Sequence, residues 1–233
     1  MQVRNVLSSI TFVVCFIIVN TARADVIEFT GGLESGRFID GVNLTSNYPT
    51  VALSGEWSAN GGGFAALSCF AGENVNRVVI QRGCDAKLGW FTPLNERQAI
   101  SFAVSRHDYS SSTLKGWEYT TASAKWHLGK RYTLAVKATD SLLGQGASGV
   151  TTSLQFSQPL RDNWRLKLEA GLTSLQSSAP VDSLEYGQLG IEYAQSRWTT
   201  ELKFMLSSSD YKRFVKLNIE QPEVAINVRY RIY

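Results

Sequence analysis

The chain has 233 residues, 44% of them hydrophobic, with 23 Lys and Arg against 20 Asp and Glu and a formal net charge of +3. That length suits one domain. No lysine/arginine cluster favours nucleic acid, no Gly-rich loop is present to cradle a phosphate, and two histidines without a nearby cysteine pair or carboxylate cluster give no metal signature.

Met1 to Ala24 has the form of a secretory signal peptide. Arg4 sits in a short basic start, Ile10 to Val19 is apolar apart from Thr11, and Ala22-Arg23-Ala24 supplies a small-x-small cleavage pattern. Cys15 lies inside the apolar run after Val13-Val14 rather than after small residues, which argues against a lipid anchor. Loss of Arg4 and Arg23 would leave 21 basic against 20 acidic residues, so much of the basicity belongs to the leader. The expected mature domain is 25–233. Beyond Ala24 no apolar run approaches the roughly 20 residues of a membrane helix.

From there, segments with period-two alternation are expected at about 26–34, 50–57, 63–70, 82–91, 97–106, 117–127, 131–139, 149–157, 163–173, 185–194, 197–206 and 224–232. Each is close to the roughly 9–11 residues of a tilted membrane strand. Connections alternate in length. Short turns are expected at 58–62, 92–95, 129–130, 159–162 and 195–196. Long loops are expected at 35–49, 71–81, 107–116, 140–148, 174–184 and 207–223. Short turns on one rim and long loops on the other are the pattern of outer-membrane barrels. The expected fold is all-β: a transmembrane antiparallel up-and-down barrel of about 12 strands.

The faces agree with that reading. In 163–172, Trp164, Leu166, Leu168, Ala170 and Leu172 alternate with Arg165, Lys167 and Glu169. A lipid-facing exterior and a wet interior account for both sets. The same phase makes Glu56, Asp85, Lys87, Lys137, Arg165, Lys167, Glu169, Glu192, Glu201, Lys203, Arg229 and Arg231 the expected lumen-lining residues. Arg165–Glu169 and Glu201–Lys203 are candidate ion pairs. A slight excess of inward Lys and Arg points to a weak anion preference. The interior is either a narrow polar channel or a plugged lumen in which opposite charges pair. Trp57, Trp90, Tyr132, Trp164, Tyr193 and Trp198 cluster beside the short turns, as an interfacial girdle would. Residues 117–127 place Trp117 and Tyr119 on one face and Ala122, Ala124 and Trp126 on the other, so a bulge or register shift is expected there. Residues 211–219 read as the rising part of the last long loop, because a thirteenth strand would break the usual even count.

Cys69 and Cys84 fall at the same height on neighbouring strands. A cross-strand disulfide closing the loop between them, and two small apolar residues on the lipid face, both satisfy the pattern. His107-Asp108 followed by Ser110 to Ser112 has the residue types of a hydrolase site but no fixed spacing, and serine is common in loops. His127 beside Trp126 reads as an interface residue. The chain closes on Arg229-Tyr230-Arg231-Ile232-Tyr233, a terminal aromatic of the kind that ends outer-membrane barrels, although Tyr233 is out of phase with Tyr230 and Ile232. That last strand is the expected contact for the barrel-assembly machinery.

Ser35-Gly36-Arg37-Phe38-Ile39-Asp40-Gly41-Val42-Asn43-Leu44-Thr45 leading to Pro49-Thr50-Val51, then Gly62-Gly63-Phe64, then Asp140-Ser141-Leu142-Leu143-Gly144-Gln145-Gly146, resemble stretches of the Gcw-type family of proteobacterial outer-membrane proteins. Tyr233 and the cysteine pair depart from that family, whose members usually end in phenylalanine and have few cysteines. The resemblance implies a Gram-negative outer-membrane channel rather than an enzyme, with no catalytic residues to carry over. Together, residues and resemblance lead to an expected porin for passive diffusion of small polar solutes. No cofactor is implied; the partners are outer-membrane lipid and the solute, with no nucleic acid. A non-conducting structural or adhesion barrel, an outer-membrane hydrolase and a soluble periplasmic sandwich are the alternatives.

Overall fold

The structure, a computed structural model, describes residues 24–45, 48–72, 80–110, 117–176, 179, 181–210, 214 and 223–232. The expected signal peptide apart from Ala24 (residues 1–23), residues 211–219 apart from Phe214, and Tyr233 lie outside them. In chain order the strands are β1 (Ala24–Glu34), β2 (Phe38–Ile39), β3 (Val42–Asn43), β4 (Thr50–Ala59), β5 (Gly63–Gly72), β6 (Arg82–Asn95), β7 (Gln98–Ser110), β8 (Trp117–Leu128), β9 (Tyr132–Thr139), β10 (Gly149–Arg161), β11 (Trp164–Leu175), β12 (Ser183–Gln195), β13 (Trp198–Ser207) and β14 (Glu223–Arg231). β1 and β4 to β14 close a twelve-stranded antiparallel barrel in which each strand pairs with the next, and β14 returns to β1. β2 and β3 form a separate two-stranded hairpin.

The seam between β1 and β14 runs from Thr30↔Arg231 to Glu34↔Asn227. Closure leaves no free edge, and this is what lets a sheet satisfy its backbone where water is absent. The exterior fits that environment. Leu53, Leu88, Phe102, Val104, Val136, Leu154, Leu168, Leu189 and Ile226 all point outward and are exposed. Beside the short turns, outward aromatics pair across strands: Tyr132 with Phe156, Trp164 with Tyr193 and Trp198 with Tyr230, with ring centroids 4.7–5.1 Å apart.

Three expectations change in detail. β8 pairs with β7 and β9 without a register shift, so no bulge separates Trp117 and Tyr119 from Trp126. The two aromatic sets simply occupy opposite faces, the first buried inside the barrel. The turns expected at 92–95 and 159–162 are largely absorbed into β6 and β10, each ending in an irregularity at Pro93/Asn95 or Pro159/Arg161. A proline lacks the N–H for a regular ladder and is accommodated at such bulges. The segments expected as long rim loops around 35–49 and 140–148 instead carry the β2–β3 hairpin and the fully buried Val42, Leu44, Leu142 and Leu143.

Cys69 and Cys84 are direct cross-strand partners on the outward face of β5 and β6, and they are joined by a disulfide with Cα atoms 4.1 Å apart. Alkylation of the unfolded protein should therefore leave both cysteines unmodified unless a thiol reductant is added first. Labelling of Cys69 or Cys84 without reductant, read by mass spectrometry, would contradict the disulfide.

Candidate functional site

The lumen is assembled from alternate residues of all twelve strands, and the structure places all twelve of the proposed lining residues on its inward side. Several of them join two charge networks. On β11 to β14, the Lys167 ammonium contacts Glu192 at 2.5 Å and Glu201 at 3.2 Å, and Lys203 contacts Glu201 at 3.2 Å. Arg165 lies 3.7 Å from Glu192, and Arg229 approaches Glu201 and Glu34 at 3.9 and 3.8 Å. Arg231 bonds Glu28 at 2.9 Å near the short-turn mouth. The expected Arg165–Glu169 pair is not formed; Glu169 accepts a hydrogen bond from Tyr186 at 2.7 Å. Residues four apart on a strand are separated by about 13 Å, whereas cross-strand partners lie about 5 Å apart, and Glu192 is the direct partner of Arg165.

The second network centres on Asp85 of β6. Its carboxylate accepts from Arg37 at 2.8 Å, from His107 Nδ1 at 2.7 Å, and from the Tyr109 hydroxyl. His107 also stacks on Tyr119, 4.3 Å between centroids, and its Nε2 lies 3.2 Å from Thr121 Oγ1. The sequence neighbour Asp108 points outward, because adjacent residues on a strand face opposite ways. Asp85 is instead the cross-strand partner of His107. His127 likewise faces the lumen rather than the interface, between Ser101 and Thr133 hydroxyls each 3.2 Å away. Lys87 lies over the Phe64 ring at 5.2 Å.

Arg37 also faces the lumen, outside the lining expected from strand alternation, because it lies in a loop. It precedes the β2–β3 hairpin, whose turn is Asp40-Gly41, both with positive φ of 48° and 84°. That Asp-Gly pair is the favoured chemistry of a two-residue hairpin turn, and the ladder continues with Leu44 N–H donating to Arg37 O at 2.8 Å. At the hairpin's base, Arg37 bonds Glu34 of β1, Ser68 of β5 and Asp85 of β6. Burial alone would weaken its charge, but Asp85 and Glu34 more than offset this and hold its pKa above the ordinary arginine value. At the tip, Asp40 is salt-bridged to Lys137 of β9. β1 and β9 are six places apart in either direction round the twelve-membered ring, so the hairpin crosses the lumen along a diameter.

Toward the long-loop end, an apolar cluster lies under and around that hairpin. Val42, Leu44, Leu142, Leu143 and Leu184 are fully buried, packed with Phe70, Ile80, Tyr109, Trp117, Tyr119, Tyr186 and Phe214. The inward rings need space, and inward glycines provide it. A Cβ on Gly83 would fall 2.2 Å from the Tyr109 ring, and one on Gly171 would fall 2.3 Å from Tyr186. Below the hairpin, a cavity of about 410 Å³ runs along β1, β4, β5, β13 and β14. It is lined by Glu28, Thr30, Glu34, Arg37, Ser54, Glu56, Ser68, Lys203, Asn227 and Arg229 among others. Among the described residues no cluster suited to holding a metal is found.

No family model matches the chain, and no curated protein is similar to it. The fold is similar to solved porins. KdgM porin superposes with a TM-score of 0.57 at 10% identity, covering 89% of this chain and 100% of that one. KdgM porin in complex with disordered oligogalacturonate gives 0.56 at 10% identity, with coverage of 89% and 100%. NanC porin gives 0.52 at 9% identity, covering 88% of this chain and 98% of the other. At these identities the likeness is one of fold: a twelve-stranded, porin-like barrel.

Proposed function

We propose that this protein is a passive channel for small polar solutes in the outer membrane of a Gram-negative bacterium, narrowed by the β2–β3 hairpin. The observation that carries this reading is the polar cavity inside a closed barrel whose outer surface is apolar. Such an exterior is stable only in lipid, and a lumen rich in charged groups holds water. The fold likeness to KdgM and NanC porins supports the same reading, as do the short motifs that resemble the Gcw-type family. A solute would move down its own gradient, and no bound cofactor takes part. The last strand remains the proposed contact for the barrel-assembly machinery.

Charge selectivity is the finer point. The inward carboxylates Glu28, Glu34 and Asp40 add to the lumen charges expected from strand alternation, and each is ion-paired. With cations and carboxylates mated in this way, the anion preference expected from Lys and Arg alone should be small. The apolar cluster at the long-loop end favours a second reading, a barrel closed at rest that carries no current. Single-channel recording of the refolded protein separates the two. Small, discrete openings with a reversal potential near zero in a salt gradient are expected from the channel, and complete silence over a wide voltage range would favour the closed barrel.

A further inference from the structure

Most charges facing the cavity below the hairpin are already satisfied. Glu28 is held by Arg231 at 2.9 Å, Lys203 by Glu201 at 3.2 Å, and Glu34 by Arg37 at 3.3 Å. Two make no hydrogen bond among the described residues. The Arg229 guanidinium is ion-paired to Glu34 and Glu201 only at 3.8 and 3.9 Å, so its N–H donors are left open, and its side chain is 41% exposed. The Glu56 carboxylate is exposed and makes neither a hydrogen bond nor an ion pair with any described residue. The cavity thus presents one available cation and one available anion, on strands that flank β1 from either side.

Their spacing follows from the register. Glu56 is opposite Glu28 and Arg229 is opposite Gly32, four residues further along β1. Two strand spacings across and four residues along place the two Cα atoms about 17 Å apart. Both side chains are long and point into the same space, so they shorten that gap to the dimensions of a short, doubly charged molecule. A guanidinium with free donors binds a carboxylate through two parallel hydrogen bonds, and a carboxylate accepts readily from an ammonium. Gly32, Ala52 and Ala66, on the inward face of their strands, keep the wall between them low.

Resting on the channel reading above, we propose that this cavity is a binding site for small zwitterions of the amino-acid and dipeptide class. The solute's carboxylate docks on Arg229 and its ammonium on Glu56. A singly charged solute satisfies one of the two groups and leaves the other as it is in the empty cavity. A neutral sugar satisfies neither charge.

Calorimetric titration of the full chain refolded in detergent tests this without relying on conduction. The probes are diglycine at neutral pH, N-acetylglycine, which is only an anion, and glycinamide, which is only a cation. Diglycine should bind about tenfold more tightly than either, the worth of one added charge-assisted contact. Glu56→Gln should remove the advantage over N-acetylglycine and keep the advantage over glycinamide. Arg229→Gln should do the reverse. Glu56→Asp and Arg229→Lys, which keep the charges, should retain part of the preference and control for folding. Equal, negligible heats for all three probes would overturn the site while leaving a non-selective channel intact. Silence in single-channel recording together with diglycine binding would remove the channel and keep the site.

Discussion

Excision of residues 37–45, with the ends joined through a short glycine–serine linker, should raise single-channel conductance several-fold. The hairpin is the one described segment that crosses the lumen from β1 to β9, and its removal empties that diameter. Charge removal alone should do much less. Arg37 and Asp40 anchor the two ends, but Val42 and Leu44 are fully buried in the apolar cluster, and each such side chain contributes about 1.5–3 kcal/mol by leaving water. Arg37→Ala also leaves Asp85 with His107 and Tyr109 as partners. That variant should therefore flicker between levels rather than stay open. A heat-dependent gel shift would show that the shortened barrel still folds. Unchanged conductance in the folded excision variant would mean that the hairpin does not limit the current.

Leu168→Arg should cost about 2–4 kcal/mol of folding free energy in lipid vesicles, whereas Leu172→Arg on the same strand should cost about 0–1 kcal/mol. Both side chains face outward, at 42% and 44% exposure, so accessibility alone predicts no difference. Depth does. Leu168 sits near the middle of β11, between Phe156 and Leu189 on its neighbours, whereas Leu172 has outward Glu185 beside it near the long-loop rim. An arginine at 172 can reach water and a carboxylate, and one at 168 can reach neither. Urea titration of both variants measures the difference. Equal small costs at both sites would contradict burial of this face in hydrocarbon.

The strands and their faces were legible because lipid on one side and water on the other impose a strict alternation, and Trp164 to Leu172 states it without interruption. Their pairing followed from the short turns, which set Cys69 opposite Cys84. What could not be read was the inside of the long-loop end. Leu142-Leu143 and Val42-Asn43-Leu44 are too short to show a period, and an apolar pair in a loop does not say whether it faces outward or folds back. Asp40-Gly41 was a visible hairpin signal with no visible destination. Its destination depends on Lys137, ninety-seven residues away, and such a partner carries no local mark. The Asp85–His107 contact was hidden for the opposite reason. Asp108 stood next to His107 in sequence and drew the pairing toward itself, when alternation along a strand turns neighbours apart.

A ring with a strut across it stiffens where the strut is anchored and keeps its compliance elsewhere. Here the hairpin ties β9 at its tip to β1, β5 and β6 at its base, and the arc from β10 to β13 carries none of those anchors. The polar cavity lies against β1, at one foot of the span, where the wall is held most rigidly. Thermal breathing of the barrel should therefore change the outline of the mouth more than the width of that cavity. Discrimination by size would then be sharp in the cavity even while the rim fluctuates.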